Sequence, residues 1–205
     1  KKSPNLELYG VFSRNKDVVD NCEKNFHCSS WPTSEEMLKD KQVDTVYLST
    51  PPGLHFHQGL KILNAEKHFW CEKPFTTSLL ESTELIELSK KKDLSVCEAF
   101  MYLYHPHFKK LKDILNERLV GEIKSISCTF TLPDLEKPGY RYNSELGGSA
   151  FLDVGSYTLS IILNLFPKSS IEIISANIPS GDKNFVDLEG KALLKIDKQI
   201  NCYLT

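Results

Sequence analysis

The sequence has no apolar run approaching the roughly 20 residues that a membrane-spanning helix needs. Its amino end, KKSPNLELYG, also lacks the apolar stretch of a secretory signal, so a cytoplasmic protein is expected. Neither charge dominates: the formal net charge is -2 and the isoelectric point is near 6.3. That leaves no basic field for nucleic acid or an anionic membrane, and neither is an expected partner. The six cysteines, at 22, 28, 71, 97, 128 and 202, lack the close spacing of a metal site and read as free thiols of a reducing compartment. His55 and His57, like His105 and His107, lie two apart with no carboxylate or cysteine completing a set, so no metal is expected. A Gly-x-Ser-x-Gly elbow is missing too, which removes one route to nucleophilic hydrolysis.

What is present is organised around residues 43–76. A β-branched apolar run over 43–50 stops at Pro51-Pro52-Gly53, as a buried parallel strand stops at its carboxyl end. Apolar residues at helical spacing over 54–65 predict a helix, residues 68–71 a second strand, and Glu72-Lys73-Pro74 closes it. The order is a βαβ crossover, and both strands deliver turn or polar residues to one sheet edge, where open α/β folds place ligands. Around it the pattern predicts strands over 6–12 and 94–99, and helices over 18–26, 78–92 and 106–118. Thr33 and Glu36 form a capping-box pattern, and Leu79, Leu80, Leu85, Ile86 and Leu88 are candidates for the buried stripe of the 78–92 helix. After Gly121 the pattern turns to strands, with an apolar helix through Asp153, Tyr157 and Leu165, then strands over 171–178, 190–196 and 200–204.

Three motifs recur in order along the chain: Thr50-Pro51 with His55, then Lys67-His68 and Glu72-Lys73-Pro74; Glu98-Ala-Phe-Met-Tyr-Leu-Tyr-His-Pro106; and Gly147-Gly148 followed by Asp153-Val-Gly155-Ser-Tyr157. Together they closely resemble the Gfo/Idh/MocA family of NAD(P)-dependent oxidoreductases, in particular its glucose–fructose oxidoreductase and dihydrodiol dehydrogenase branch. Leu103 stands where the family usually carries Arg, Ser149 where a third glycine is common, and Glu66 where a Gly precedes Lys-His. The resemblance implies an α/β fold: a Rossmann-like parallel-sheet domain over residues 1–121, then an α+β domain with a mostly antiparallel sheet over 122–205. None of the ten glycines forms the Gly-x-Gly-x-x-Gly turn that brings a pyrophosphate to a helix amino end. The sequence is therefore expected to be a portion of a longer protein, both domains being partial. A sheet lacking the family's central first strand would have two unpaired inner edges.

The implied activity is hydride transfer between a nicotinamide and a hydroxyl-bearing carbon of a sugar, cyclitol or related diol. Tyr157 is the implied acid/base and Lys73 its electrostatic partner, an ammonium near a tyrosine hydroxyl being expected to lower its pKa. Asp153 would order Lys73 and bind substrate hydroxyls, with Arg141 beside it on the substrate side. Thr50, Pro51 and Glu72 would line the cofactor, and His55 would orient their loop. At the end of the 6–12 strand, Ser13-Arg14 offers a guanidinium where an acidic residue would favour NAD, so NADP is expected over NAD. The expected partners are a small polyhydroxylated substrate and, by the family's habit, a second copy of the chain. The rival reading is a non-catalytic relative that binds a dinucleotide or metabolite for regulation.

Overall fold

A computed structural model describes residues 5–133, 135–137, 139–181 and 184–205. The amino-terminal half places parallel strands β1 (Gly10–Val11) and β2 (Ser29–Ser30) in one short ladder. Strands β3 (Thr45–Leu48), β4 (His68–Cys71) and β5 (Val96–Glu98) form a separate three-stranded parallel ladder. Strand β1 is shorter than the 6–12 run predicts. Leu6 and Leu8 are 67% and 55% exposed, and among the described residues β1 pairs with the two-residue β2 alone.

Helices α1 (Lys16–Phe26), α2 (Ser34–Lys39), α3 (His55–Asn64) and α4 (Leu79–Lys91) follow their strands as the apolar spacing requires. Thr33 caps α2 by accepting the Glu36 amide at 3.1 Å, while its own hydroxyl meets the Glu36 carboxylate at 3.4 Å, so the reciprocal half of the box goes to a side chain. Phe69, Leu63 and Leu85 are fully buried where α3 and α4 cover β4. Burying a side chain of that size contributes about 2–3 kcal/mol. Gly59 on α3 is what lets the two helices and the sheet meet, since a Cβ there would stand 3.1 Å from both Leu85 and Phe69.

The stripe expected on α4 needs correcting. Leu85 is buried, with Ser82 and Ser89 completing its side of the helix, but Leu79 and Leu80 are 82% and 83% exposed. They lie five and six residues before Leu85, about 120–140° around the helix at 100° per residue, so they cannot share its face.

The carboxyl-terminal half begins after α5 (Pro106–Asn116). Strand β6 (Ser125–Cys128) runs parallel to β9 (Ile200–Leu204), which pairs antiparallel with β8 (Lys191–Ile196), and β8 pairs antiparallel with β7 (Ile171–Asn177). Helix α6 (Ser156–Leu165) lays Ile162 on Leu194, Ile196 and Cys202 to make a second small core. The helical run Ser144–Leu165 does have the length and composition of a membrane span, contrary to the expectation from the sequence. Its apolar side includes Ile162, 2% exposed against the sheet, and it carries Asp153 and Glu145.

Candidate functional site

Strand register builds one side of the site. Leu48 pairs with Cys71 and Cys71 with Glu98, so the three parallel strands end level and release Thr50, Glu72-Lys73 and Ala99-Phe100 at one edge. The Lys73-Pro74-Phe75 turn is then held from several directions. Phe75 N–H donates to the Glu98 carboxylate at 2.8 Å, and the ring nitrogens of fully buried His55 lie 2.9 Å from Pro74 O and 2.7 Å from Thr50 O. His55 thus ties the Thr50 turn to the Lys73 turn. A neutral imidazole donates to one of these carbonyls at a time.

The other side comes from about 80 residues later in the chain. Residues Phe151–Gly155 form a π-helical turn ahead of α6, the kind of local widening that recurs at functional sites. Its Asp153 receives Lys73 Nζ at 2.5 Å on Oδ1 and Arg141 Nε at 2.5 Å on Oδ2, while Lys73 also donates to Asp153 O at 2.7 Å. Lys73 and Asp153 side chains are each 13% exposed and Arg141 is 39% exposed. Burial alone would raise the Asp153 carboxyl, but hydrogen bonds from Lys73 and Arg141, with their charges, outweigh it and hold the group below its ordinary value. The turn itself is anchored at its start, where Asp187 accepts Phe151 N–H at 2.7 Å and Ala150 N–H at 2.9 Å.

Tyr157 lies one turn on, its ring edge-on to Phe100 and Phe130 at 5.3 Å, with Lys73 Nζ 4.8 Å from the ring centroid. The structure therefore brings Lys73, Asp153, Arg141 and Tyr157 together, but not in the electrostatic relation expected. The ammonium stands over the ring and is neutralised by Asp153. Burial, followed by the negative charges of Glu72 and Asp153, pushes the Tyr157 phenol above its usual 10.0. These surroundings favour the phenol over the tyrosinate.

The remaining residues divide. Glu72 accepts the Tyr47 hydroxyl, whose own ionisation is pushed up to about 12 by burial and then by that carboxylate. Thr50 donates to Gln58 of α3 at 2.5 Å, and Pro51 precedes a short 3-10 turn. Ser13 accepts the Asn15 amide at 3.1 Å and Arg14 is exposed; among the described residues no contact joins either of them to the Lys73 cluster. Glu98 is not among the residues expected at the site, although it lies in one of the motifs, and neither Asp187 nor the Phe100–Phe130 ring cage is expected from the sequence. Asp187 stands alone in a loop with no motif around it, so nothing local could have flagged it. The described residues contain no group of His, Cys, Asp and Glu able to hold a metal ion.

Residues 1–100 match the model of the oxidoreductase family with an NAD-binding Rossmann fold, and residues 108–205 match the model of the GFO/IDH/MocA C-terminal domain. The chain belongs to the Gfo/Idh/MocA family. Among its relatives is a dTDP-3,4-didehydro-2,6-dideoxy-alpha-D-glucose 3-reductase of Saccharopolyspora spinosa, 30% identical over 92% of this chain and 57% of the relative. A trans-1,2-dihydrobenzene-1,2-diol dehydrogenase of Danio rerio is 31% identical over 70% of this chain and 42% of its own length. A 3-ketoreductase from Actinomadura kijaniata, solved with NADP and TDP-benzene, superposes with a TM-score of 0.91 at 30% identity, covering 98% of this chain and 62% of that one. The chain thus spans about two-fifths to three-fifths of the length of these Gfo/Idh/MocA relatives.

Proposed function

We propose that the protein of which this chain is part is an NADP-dependent oxidoreductase that reduces a ketone on a sugar-type substrate and, in reverse, oxidises the corresponding secondary alcohol. The observation that carries this reading is the Lys73–Asp153–Arg141 ion-pair set beside a tyrosine kept as a phenol, at the level edge of three parallel strands.

In reduction the carbonyl oxygen gains negative charge as its carbon accepts hydride, and it needs a proton and a nearby cation. Tyr157 supplies the proton and Lys73, held in place by Asp153, the positive charge. Arg141 and the outer lone pairs of Asp153 face substrate hydroxyls. The bound cofactor would supply the hydride as NADPH in reduction and accept it as NADP in oxidation. The residues fit it at two ends: Arg14 beyond β1 suits an adenosine 2′-phosphate, and Glu72 suits the nicotinamide ribose by releasing Tyr47. Thr50 and Pro51 line the stretch between, with His55 fixing their turn. The pyrophosphate turn is not among this sequence's glycines. Gly121, at φ +72°, is where we divide the cofactor half from the substrate half.

The relatives frame the substrate panel. With the complete protein and NADPH, turnover is expected on a keto-sugar nucleotide or, in reverse with NADP, on a vicinal diol. NADPH binding without oxidation across both panels would remove the enzymatic reading.

A further inference from the structure

The turn that would cover the cofactor and the loop that carries Arg141 meet backbone against backbone, at two glycines. A Cβ on Gly53 would stand 2.4 Å from Glu145 O and 2.8 Å from Leu146 C, both main-chain atoms that have no rotamer to retreat into. From the other side, a Cβ on Gly147 would stand 2.9 Å from Gly53 N, 2.9 Å from Thr77 Cγ2 and 3.0 Å from Pro52. Gly147 also sits at φ +80°, in the left-handed region. Such close approach leaves no room for water or a side chain between the two segments.

Each segment is stiff in its own right. On the cofactor side, buried His55 sits between Thr50 O and Pro74 O, at 2.7 and 2.9 Å, and Thr77 is fixed by its amide and hydroxyl on Glu81 at 3.3 and 3.2 Å. On the substrate side, Gly148 N–H donates to Asn143 O at 2.8 Å, Gly147 N–H to Ser144 O at 3.0 Å, and Glu145 N–H to Asn143 Oδ1 at 2.9 Å. Gly148 also packs on the main chain of Arg141, where a Cβ would stand 2.6 Å from Arg141 O. A displacement of Gly147 is therefore passed through Gly148 to Arg141, and from its guanidinium to Asp153.

We infer that Gly53 is a positioning residue: its contact with Gly147 sets the distance between the Thr50–Gly53 turn and the Arg141 loop, and so aligns the substrate-binding guanidinium with the cofactor edge. The assignment of Arg141 to substrate rests on the proposed function; the mechanical coupling does not.

Amide hydrogen exchange on the complete protein separates the two. Gly53→Ala keeps an ordinary backbone conformation, so it tests the contact rather than a dihedral. It is expected to speed exchange over residues 143–148 by at least about tenfold as the loop is pushed off its seat. In turnover it raises substrate KM by about fivefold or more with kcat little changed. Gly59→Ala is the control for general destabilisation: it crowds Leu85 and Phe69 in the core and is expected to lower the thermal midpoint while leaving 143–148 exchange and KM alone. Thr77→Ser removes the methyl under Gly147 while keeping the hydroxyl for Glu81, and is expected to shift exchange in the same direction by about threefold, which serves if Gly53→Ala does not fold. Unchanged 143–148 exchange in Gly53→Ala or, failing that, in Thr77→Ser overturns the inference, as does an equal change in Gly59→Ala. If no substrate turns over, the exchange measurement still decides the coupling, and only the proposed function falls.

Discussion

The two ends of the candidate cofactor path differ in how much of themselves the chain builds. At the Lys73 end, Asp153 takes two cations, Glu98 and His55 pin the turn, and Phe100 and Phe130 wall the tyrosine. At the Arg14 end, one exposed guanidinium follows a two-residue strand. The first is organised before any ligand arrives, which is how polar groups act without reorganising during a reaction. The second can contribute only what a single charge gives to a bound phosphate. Substitutions should therefore separate cleanly: changes at the Lys73 end alter turnover and stability, and changes at the Arg14 end alter cofactor choice alone.

The largest effect is expected from Tyr157→Phe, which removes the proposed proton donor but keeps the ring between Phe100 and Phe130. In the complete protein kcat should fall by about 10²–10⁴ with NADPH affinity unchanged. The pH profile gives the sign of the role. Because the phenol ionises above 10.0, wild-type reduction should hold through neutral pH and decline only as pH rises past that value, while oxidation climbs with pH. A reduction rate that rises with pH through neutrality would mean the tyrosinate is the working form, and would reverse the electrostatic argument.

Next comes Asp153→Ala, which leaves Lys73 and Arg141 facing each other without a counter-charge. Removing one partner of a mostly buried pair costs on the order of 3 kcal/mol, measurable by urea unfolding at neutral pH. The same carboxylate governs acid sensitivity. Its folded-state pKa lies below 3.8, so its ionised form stabilises the fold above that value and the contribution is lost as pH falls through the depressed pKa. Asp153→Asn should lose that part of the acid dependence; a stability curve of wild-type shape in this variant would show that the ion pair does not hold the two halves together.

Much of this architecture was legible beforehand, for identifiable reasons. Helix α3 and strand β4 follow directly from apolar spacing and from the Pro51-Pro52-Gly53 stop, and of the residues that converge at Lys73, Asp153 and Tyr157 sit in a motif whereas Arg141 does not. What was not legible depended on distance. Tyr157 is held as a phenol first by burial and then by the charges of Glu72 and Asp153; the burial comes from distant packing and Glu72 lies 85 residues away in the chain, so neither can be read from spacing along one helix. The truncation of β1 depends on which strands stand beside it, and the exposure of Leu79 and Leu80 on which face of α4 meets α3. Asp187, which anchors the turn under Asp153, lies outside every motif.

At the other end of the path, Arg14→Ala should weaken NADP binding by about tenfold, the loss of a charge-assisted hydrogen bond at an exposed site, while NAD binding and kcat stay as they were. Equal weakening of both cofactors would show that Arg14 acts on the fold rather than on a 2′-phosphate, and the contrast between the two ends would disappear.

The smallest expected effect sharpens the contrast within one strand. Helix α3 ends in a left-handed cap: Lys67 N–H reaches Ile62 O at 3.2 Å, Glu66 N–H reaches Leu63 O at 3.1 Å, and Glu66 itself sits at φ 59°. That hydrogen-bond pattern favours glycine at the residue with positive φ, because any Cβ there crowds the following carbonyl. The departure noted at Glu66 is thus a locally strained one. Glu66→Gly relieves the crowding but gives back part of the gain through the freer unfolded chain, leaving a net stabilisation of about 0.5–1 kcal/mol. Residue 66 leads into the amino end of β4, whereas Lys73 follows the carboxyl end, so the stabilised protein should show unchanged kcat and KM. If Glu66→Gly instead altered turnover, strand β4 would be transmitting its amino-terminal geometry to the site, and the Lys73 end could not be regarded as fixed by its own local contacts.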